Sequence, residues 1–192
     1  ENRTAARRRL GLPDAAFVVG SFQKDGVGWS EGLEPKLIKG PDVLVAALSA
    51  LRERVPELHV LLSGPARGYV KSELEARGIH YVHRVVDPYE ESVGALYAAI
   101  DAYVVPSRQE GGPKGVLESM AAGVPLVSTR VGQAVDLVVD GENGWLADVE
   151  DSDALTHALV RIAEEGAEVE RVVTAGLATA AANAYGSQLP LW

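Results

Sequence analysis

The amino-acid sequence predicts an α/β fold built on a Rossmann-like, doubly wound parallel sheet of about six strands. Two observations support this prediction. Short apolar runs alternate along the chain with longer segments in which apolar residues repeat at helical spacing, and most connections between them are short. Strands that alternate with helices in this way form a parallel sheet with helices on both faces.

Six segments are predicted to be strands because they are short, apolar and rich in β-branched residues. They are residues 17–20, 59–62, 80–85, 102–105, 125–128 and 144–146. Ligands of open α/β sheets bind beyond the carboxyl ends of the strands. We therefore expect functional residues directly after Gly20, Leu62, Val85, Val105 and Ser128.

Helical periodicity is clearest in residues 44–55, and Gly40 and Pro41 just before them suit the cap and first position of a helix. Further helices are predicted at residues 69–77, 93–100, 115–122, 155–162 and 168–184. Residues 23–39 form a long glycine-rich stretch that is predicted to be irregular. Loops of this length tend to be functional or mobile, and a flexible glycine loop is the simplest interpretation.

Composition narrows the class of protein. A chain of 192 residues that is 47% hydrophobic fits one domain, residues 1–192, with a sizeable core. The chain contains no cysteine, which excludes disulfides and thiolate chemistry, and its net charge of −9 argues against a broad contact with nucleic acid. The chain begins with Glu1 and shows no signal-peptide pattern, so we expect a piece of a longer cytoplasmic protein.

Three motifs do not fit their usual functions. Residues 26–31 approach the dinucleotide fingerprint, but Glu31 replaces its third glycine. Residues 28–32 match the G-x-S-x-G motif of esterases, but Pro35 follows where a helix is needed. His80 and His83 lie three apart on a predicted strand and so point to opposite faces, which does not suit one metal. We expect no metal site.

The segment with the clearest functional pattern is residues 106–118, which begins where the fourth predicted strand ends and starts a helix near Pro113, placed at its first position. A helix N-terminus presents unpaired N–H groups and partial positive charge, which suits a phosphate. Glu110 and Glu118 flank this anion site, and a carboxylate accepts hydrogen bonds from neighbouring sugar hydroxyls. The alternative is that both are solvated surface charges.

The spacing of Glu110 and Glu118 at this turn resembles that of retaining glycosyltransferases of the GT-B fold, specifically the C-terminal, donor-binding domain of the family-4-like group. Further segments similar to this family follow in the same order, and together they cover roughly residues 8 to 165. They are residues 10–13 (LGLP), 39–42 (KGPD), 62–65 (LSGP), 101–107 (DAYVVPS), 119–127 (SMAAGVPLV) and 140–144 (DGENG).

The resemblance implies that the substrate is a nucleotide-diphosphate sugar and that no metal or other cofactor is needed. It implies that Glu118 accepts from the ribose hydroxyls, that Glu110 lies beside the donor sugar and that Lys39 neutralises the diphosphate. Lys24 stands near a position where the family has an arginine and is the candidate replacement. The remaining implied donor-binding residues are Gly111, Gly112 and Lys114 at the distal phosphate, Ser63 and Gly64 at the diphosphate or ribose, and Arg84 and Val85 at the base.

The same resemblance implies an N-terminal GT-B domain outside these residues, which would bind a glycan, lipid or small-molecule acceptor and make any membrane contact. Residues 1–192 alone are then expected to bind the donor without transferring sugar. Two alternatives remain open: a non-catalytic nucleotide-sugar-binding module, and an epimerase or phosphorylase of the GT-B fold.

Overall fold

A computed structural model describes residues 2–86, 93–164 and 166–188. Six strands of this part of the chain form one parallel sheet in the order β3-β2-β1-β4-β5-β6. The strands are β1 (Phe17–Phe22), β2 (Leu58–Ser63), β3 (His80–Arg84), β4 (Ala102–Val105), β5 (Leu126–Thr129) and β6 (Trp145–Ala147). This strand order is that of the doubly wound Rossmann fold, so the predicted fold class is confirmed.

Nine α-helices precede, connect or follow the strands within the described residues. They are α1 (Arg3–Leu10), α2 (Pro41–Arg54), α3 (Gly68–Ala76), α4 (Val93–Tyr97), α5 (Lys114–Ala121), α6 (Gln133–Leu137), α7 (Ser152–Glu164), α8 (Gly166–Ala182) and α9 (Tyr185–Gln188). A short 3₁₀ helix spans Leu37–Lys39. None of these helices has the length and apolar character that crossing a membrane requires.

Two apolar cores cover the two faces of the sheet. Successive residues of a strand face opposite sides, so Val19 enters one core together with α2 and α7, while Val18 enters the other together with α1 and α5. The order of the sheet reverses between β1 and β4, because the chain runs outward from β1 through β2 in one direction and from β4 through β5 in the other. A crevice opens at such a point, beyond the carboxyl ends of the strands.

The structure differs from the sequence expectations at several places. Helix α1 was not predicted, because its consecutive arginines make the segment look polar. In the structure Arg7 is buried with the apolar residues of this helix and donates hydrogen bonds to the carbonyl oxygens of Ala99 and Ala16. Helix α6, five residues long, is too short to show periodicity. Helix α4 ends at Tyr97 and does not reach residue 100. Pro113 is the N-cap of α5 and not its first residue, because its extended backbone lies outside the helix.

The glycine-rich stretch of residues 23–39 is irregular, as predicted, up to the 3₁₀ helix Leu37–Lys39, and part of it packs closely on the segment after β2. A Cβ atom on Gly26 or Gly32 would lie 2.3 Å or 2.4 Å from the carbonyl oxygen of Ala66, so these glycines allow close packing. The amide of Gly68 also donates to the carbonyl oxygen of Glu31 (2.7 Å). No strand precedes Ser30 in this segment, so the geometry of an esterase nucleophile is absent here.

Candidate functional site

Two adjoining cavities lie at the carboxyl edge of the sheet, where β1 and β4 meet. The first has a volume of about 400 Å³ and the second of about 230 Å³. Phe22, at the end of β1, and Glu118, on α5, line both cavities, so the two form one crevice. The crevice lies at the reversal of strand order, the place where open α/β sheets bind ligands.

The first cavity brings Lys39 and Glu110 together. Gly40, which follows Lys39, has a φ of +63°, and a Cβ atom there would lie 2.0 Å from the carbonyl oxygen of Pro106. This close approach places Lys39 Nζ 2.6 Å from Glu110 Oε1, although 71 residues separate them in the chain. Ser107 Oγ donates to the same carboxylate oxygen at 2.8 Å. The ammonium group is therefore held beside the carboxylate at the wall of the cavity.

The N-terminus of α5 forms another wall. Gly115 packs directly on Tyr103, since a Cβ atom on this glycine would lie 2.5 Å from the Tyr103 ring. Gly112, Lys114 and Gly115 line the first cavity, and the first N–H groups of a helix have no partner inside the helix. The positive end of the helix therefore borders the cavity and suits an anion.

Glu118 contacts a cluster of aromatic residues through its carboxylate. Tyr97 Oη donates to Glu118 Oε2 at 3.2 Å. The rings of Phe22, Tyr97 and Tyr103 form a cluster in which the centroids are 5.0 to 5.2 Å apart. Burial raises the pKa of Tyr97 far above its usual value and the pKa of Tyr103 to about 12. Both phenols therefore stay protonated and act as hydrogen-bond donors.

Lys24 and Gln23 also line the first cavity. Lys24 Nζ lies 3.5 Å from the ring centroid of Trp29, a cation–π contact with an indole that is 82% exposed. Gln23 Nε2 donates to the carbonyl oxygen of Lys39 at 3.1 Å, which ties the end of β1 to the loop that carries Lys39.

A buried arginine joins the ends of β1 and β2 behind the cavities. Arg67 Nη1 donates to the carbonyl oxygens of Ser21, Gln23 and Ser63 at 2.8 to 3.2 Å. Its Nε lies 3.1 Å from Asp25 Oδ1, and both side chains are 0% exposed. Burial raises the pKa of the Asp25 carboxyl against the attraction of this arginine. The pair fixes the backbone from which Lys24 and Gly64 extend.

The second cavity is lined by Ser63, Gly64 and Val85, with Pro65, Val86 and Val93. Gly64 has a φ of +98°, a conformation that favours glycine. His83 Nε2 donates to the carbonyl oxygen of Gly64 at 2.8 Å, and burial lowers the pKa of this imidazole. The cavity combines apolar walls with backbone polar groups, as small-ligand sites commonly do.

The crevice collects most of the residues singled out in the sequence. Those that line the first cavity are Lys24, Lys39, Glu110, Gly112, Lys114 and Glu118, and those that line the second are Ser63, Gly64, Val85 and again Glu118. Gly111 is not among the described lining residues, and its carbonyl oxygen accepts a hydrogen bond from the amide of Gln133. Arg84 is exposed at the end of β3 and is not among the described lining residues.

Sequence reasoning missed Phe22, Tyr97, Tyr103, Lys36 and Arg67. Phe22 lies two residues beyond the predicted end of β1, so a longer strand would have marked it. Tyr97 lies in an apolar helical stripe and looks like an ordinary core residue. Arg67 lies in a polar loop, and nothing in the sequence distinguishes it from a solvated charge.

The crevice is basic, although the chain carries a net charge of −9. Lys24, Lys36, Lys39 and Lys114 line the first cavity together with the carboxylates of Glu110 and Glu118. Ammonium groups and helix N–H groups suit phosphate oxygens, while carboxylates accept from hydroxyls. Across the described ranges, no three His, Asp or Glu side chains are grouped so that they could hold a metal ion.

Several solved structures superpose on this chain and so have the same fold. HepE from Anabaena, in complex with UDP-glucose, superposes with a TM-score of 0.76 at 24% identity, covering 93% of this chain and 47% of that one. The C-terminal domain of a glycosyl transferase group 1 family protein (LpcC) from Francisella tularensis superposes with a TM-score of 0.77 at 19% identity. That match covers 94% of this chain and 92% of the other. The fold is thus the Rossmann-like half of a GT-B structure.

The family is shown by sequence. D-inositol 3-phosphate glycosyltransferase from Corynebacterium urealyticum is 35% identical over 164 residues, which are 80% of this chain and 36% of that protein. The chain therefore spans little more than a third of the length of this relative. The family model for glycosyl transferases group 1 matches residues 26–165, most of the chain. This chain belongs to the glycosyl transferases group 1 family.

Proposed function

We propose that this chain is the donor-binding C-terminal domain of a retaining glycosyltransferase. The whole protein would transfer a sugar from a nucleotide-diphosphate sugar to a glycan, lipid or small-molecule acceptor. The observation that carries the proposal is the single crevice at the reversal of strand order, in which Lys39, Glu110, the start of α5 and Glu118 meet. Retention of configuration rests on the family-4-like motif pattern alone.

The diphosphate is assigned to the first cavity. The N–H groups at the start of α5 and the side chains of Lys24, Lys39 and Lys114 supply positive charge there. When the glycosidic bond breaks, negative charge grows on the leaving diphosphate, and a preorganised ammonium group stabilises it. Lys39 is proposed for this role, which needs no metal ion.

The ribose is assigned to Glu118 and the base to the second cavity. Glu118 borders both cavities, which is where a ribose between a base and a diphosphate would lie. Ser63, Gly64 and Val85 offer backbone groups and apolar contacts to a flat base. HepE, which has the same fold, is in complex with UDP-glucose, and this supports a nucleotide sugar as the ligand.

Glu110 is assigned to the donor sugar. Both hydrogen bonds that the described residues make to its carboxylate go to Oε1, from Lys39 and Ser107. A carboxylate has further acceptor capacity, which suits a sugar hydroxyl. Since Lys39 contacts this carboxylate, the donor sugar would lie next to the diphosphate, as the chemistry requires.

The acceptor is proposed to bind an N-terminal domain of the same protein. The match to little more than a third of a curated relative supports a second half. Residues 1–192 by themselves are then expected to show negligible sugar transfer, because half of the catalytic cleft lies elsewhere. We infer a cytoplasmic location, with any membrane contact through that other domain; a fold without cysteines needs no oxidising compartment.

Ligand binding tests the donor proposal directly. Thermal unfolding of residues 1–192 is measured with UDP-, GDP-, ADP- and dTDP-glucose, because a ligand that binds the folded state raises the unfolding temperature. At 100 times the dissociation constant the stabilisation is about 2.7 kcal/mol. We expect one of these donors to stabilise the wild type and to stabilise Glu118→Ala much less. No stabilisation by any of them would refute donor binding.

Turnover separates an enzyme from a binding module. The full-length protein is incubated with the stabilising donor and with lipid or glycan acceptors, and release of nucleoside diphosphate is measured. Binding without release in any acceptor mixture would favour the non-catalytic module. A phosphorylase would instead contain bound pyridoxal phosphate, which is visible by its absorbance.

A further inference from the structure

Tyr97 is the residue in contact with Glu118 that the proposed function does not use. It lies at the end of α4, next to Glu118 of α5, and only 2% of it is exposed. Its hydroxyl donates to Glu118 Oε2 at 3.2 Å. Its ring is fixed by Phe22 at 5.0 Å in an edge-on contact and by Tyr103 at 5.2 Å.

Glu118 needs such a partner because it is an exposed residue on a surface helix. A glutamate side chain has three rotatable bonds, and ordering them when a ligand binds opposes binding. A donor on a rigid, buried ring restricts the carboxylate before the ligand arrives. One carboxylate oxygen then keeps a fixed position from which the group can accept from two adjacent hydroxyls at once.

We propose that Tyr97 is a positioning residue that orients the Glu118 carboxylate for a ribose diol and so sets the preference for ribonucleotides over 2′-deoxyribonucleotides. This inference rests on the proposed role of Glu118. The tyrosine itself touches no part of the nucleotide in this scheme, and it acts through the carboxylate. A phenol is protonated at neutral pH and burial raises the pKa of Tyr97 further, so the donor is present throughout the neutral pH range.

The test is the affinity of Tyr97→Phe for UDP and for 2′-deoxy-UDP, or for the GDP pair if thermal unfolding selects guanosine. Phenylalanine keeps the ring contacts and removes the hydrogen bonds of the phenol to Glu118 and to the neighbouring Tyr103. We expect the dissociation constant for the ribonucleotide to rise about three- to tenfold, the size of one ordinary hydrogen bond, because the tyrosine acts only through the carboxylate. The dissociation constant for the 2′-deoxy form should rise less. The discrimination ratio, defined as the dissociation constant for the 2′-deoxynucleotide divided by that for the ribonucleotide, should therefore fall.

A merely structural role predicts a different result. If Tyr97 only supports the fold, Tyr97→Phe weakens both nucleotides by the same factor and the ratio is unchanged, which overturns the proposal. Tyr81→Phe is the matched control, because Tyr81 Oη donates to Glu75 Oε1 in a phenol–glutamate pair whose members are not among the described lining residues of the crevice. This control should leave the ratio as it is in the wild type.

Glu118→Gln separates the inference from the proposed function. If the ratio stays unchanged in Glu118→Gln, the ribose assignment itself fails. If Glu118→Gln lowers the ratio and Tyr97→Phe does not, only the positioning role fails. If both lower it, the double variant should fall no further than Glu118→Gln alone, since the tyrosine acts through the carboxylate. An additional fall in the double variant would overturn the proposal.

A second variant covers the case in which Tyr97→Phe does not fold. Glu118→Asp keeps a carboxylate on the exposed helix face and withdraws it by one methylene from Tyr97 Oη. We expect the ratio to fall in this variant as well. A wild-type ratio in Glu118→Asp would overturn the positioning role.

Discussion

Replacing Glu110 by glutamine is expected to tighten the binding of the free nucleoside diphosphate while lowering sugar transfer. In the structure Lys39 Nζ lies 2.6 Å from Glu110 Oε1, and the two side chains are 26% and 14% exposed. The carboxylate therefore competes with a phosphate group for the same ammonium group. Glutamine keeps an oxygen acceptor for Lys39 and Ser107, so the local fold should persist.

The magnitude follows from Coulomb's law. A phosphate in contact with Lys39 lies on the order of 6 Å from the Glu110 carboxylate, and at an effective dielectric constant of about 20 two unit charges at this distance repel by about 3 kcal/mol. Solvent reaches the partly exposed pair and reduces this upper bound to about 1 kcal/mol. We therefore expect the dissociation constant for UDP to fall roughly fivefold.

Isothermal titration calorimetry of residues 1–192 measures this effect. Uridine, which carries no phosphate, is the control ligand, and its affinity should not change. The difference between the two proteins should also shrink in 1 M salt, because screening weakens the repulsion between partly exposed charges. Equal or weaker UDP binding by Glu110→Gln would show that this carboxylate does not oppose the diphosphate. Unchanged sugar transfer by the full-length variant would remove it from the donor-sugar site.

Three further predictions use the same protein. Lys39→Ala should weaken UDP about tenfold or more and uridine hardly at all, by calorimetry; equal losses for both ligands would mean that the lysine does not bind phosphate. Gly40→Ala should lower the unfolding free energy, measured by urea denaturation, by at least about 2 kcal/mol. The control is Gly11→Ala, which has a similar positive φ but open space where its Cβ would lie, and it should lower the unfolding free energy by about 1 kcal/mol. Equal losses in the two variants would refute the close contact between Gly40 and Pro106. Burial lowers the pKa of His83 below 6.5, so the unfolded chain takes up its proton first and stability should decrease as the pH falls below about 6.5. His83→Gln should remove part of this decrease in unfolding temperature between pH 7.5 and 5.5, and an unchanged slope would contradict the burial of the imidazole.

The sheet could be predicted from the sequence because both of its faces are covered. Strands buried on two sides consist of nearly continuous apolar residues, as in Leu58–Ser63, and they stand out from the helices between them. The predicted ends of the elements differ from the observed ends by up to three residues. Helix α1 escaped prediction because Arg7 is buried through hydrogen bonds to distant carbonyl groups, which no local pattern records.

The candidate site was predictable where a residue lies on a recognisable turn. Glu110 and Glu118 lie on either side of the turn between β4 and α5. Because this turn follows the carboxyl end of a parallel strand, the sequence predicted that both residues lie near the crevice. Tyr97 could not be predicted in this way, because its contact with Glu118 exists only when α4 and α5 lie side by side above β4. Arg67 is similar, since its three carbonyl partners come from the ends of two different strands.

The central position of β1 has a consequence for how the domain folds. The amide of Val18 donates to the carboxylate of Asp101, 83 residues further along the chain, and β1 pairs with β4 although β2, β3 and their helices separate the two strands in the chain. Contacts between such distant segments carry a large loop-closure entropy and make folding slow. We expect this junction, and the crevice with it, to form late in the folding reaction, so that the interactions of the crevice are absent from its early part. A bound nucleotide is therefore expected to slow unfolding and to leave the folding rate almost unchanged.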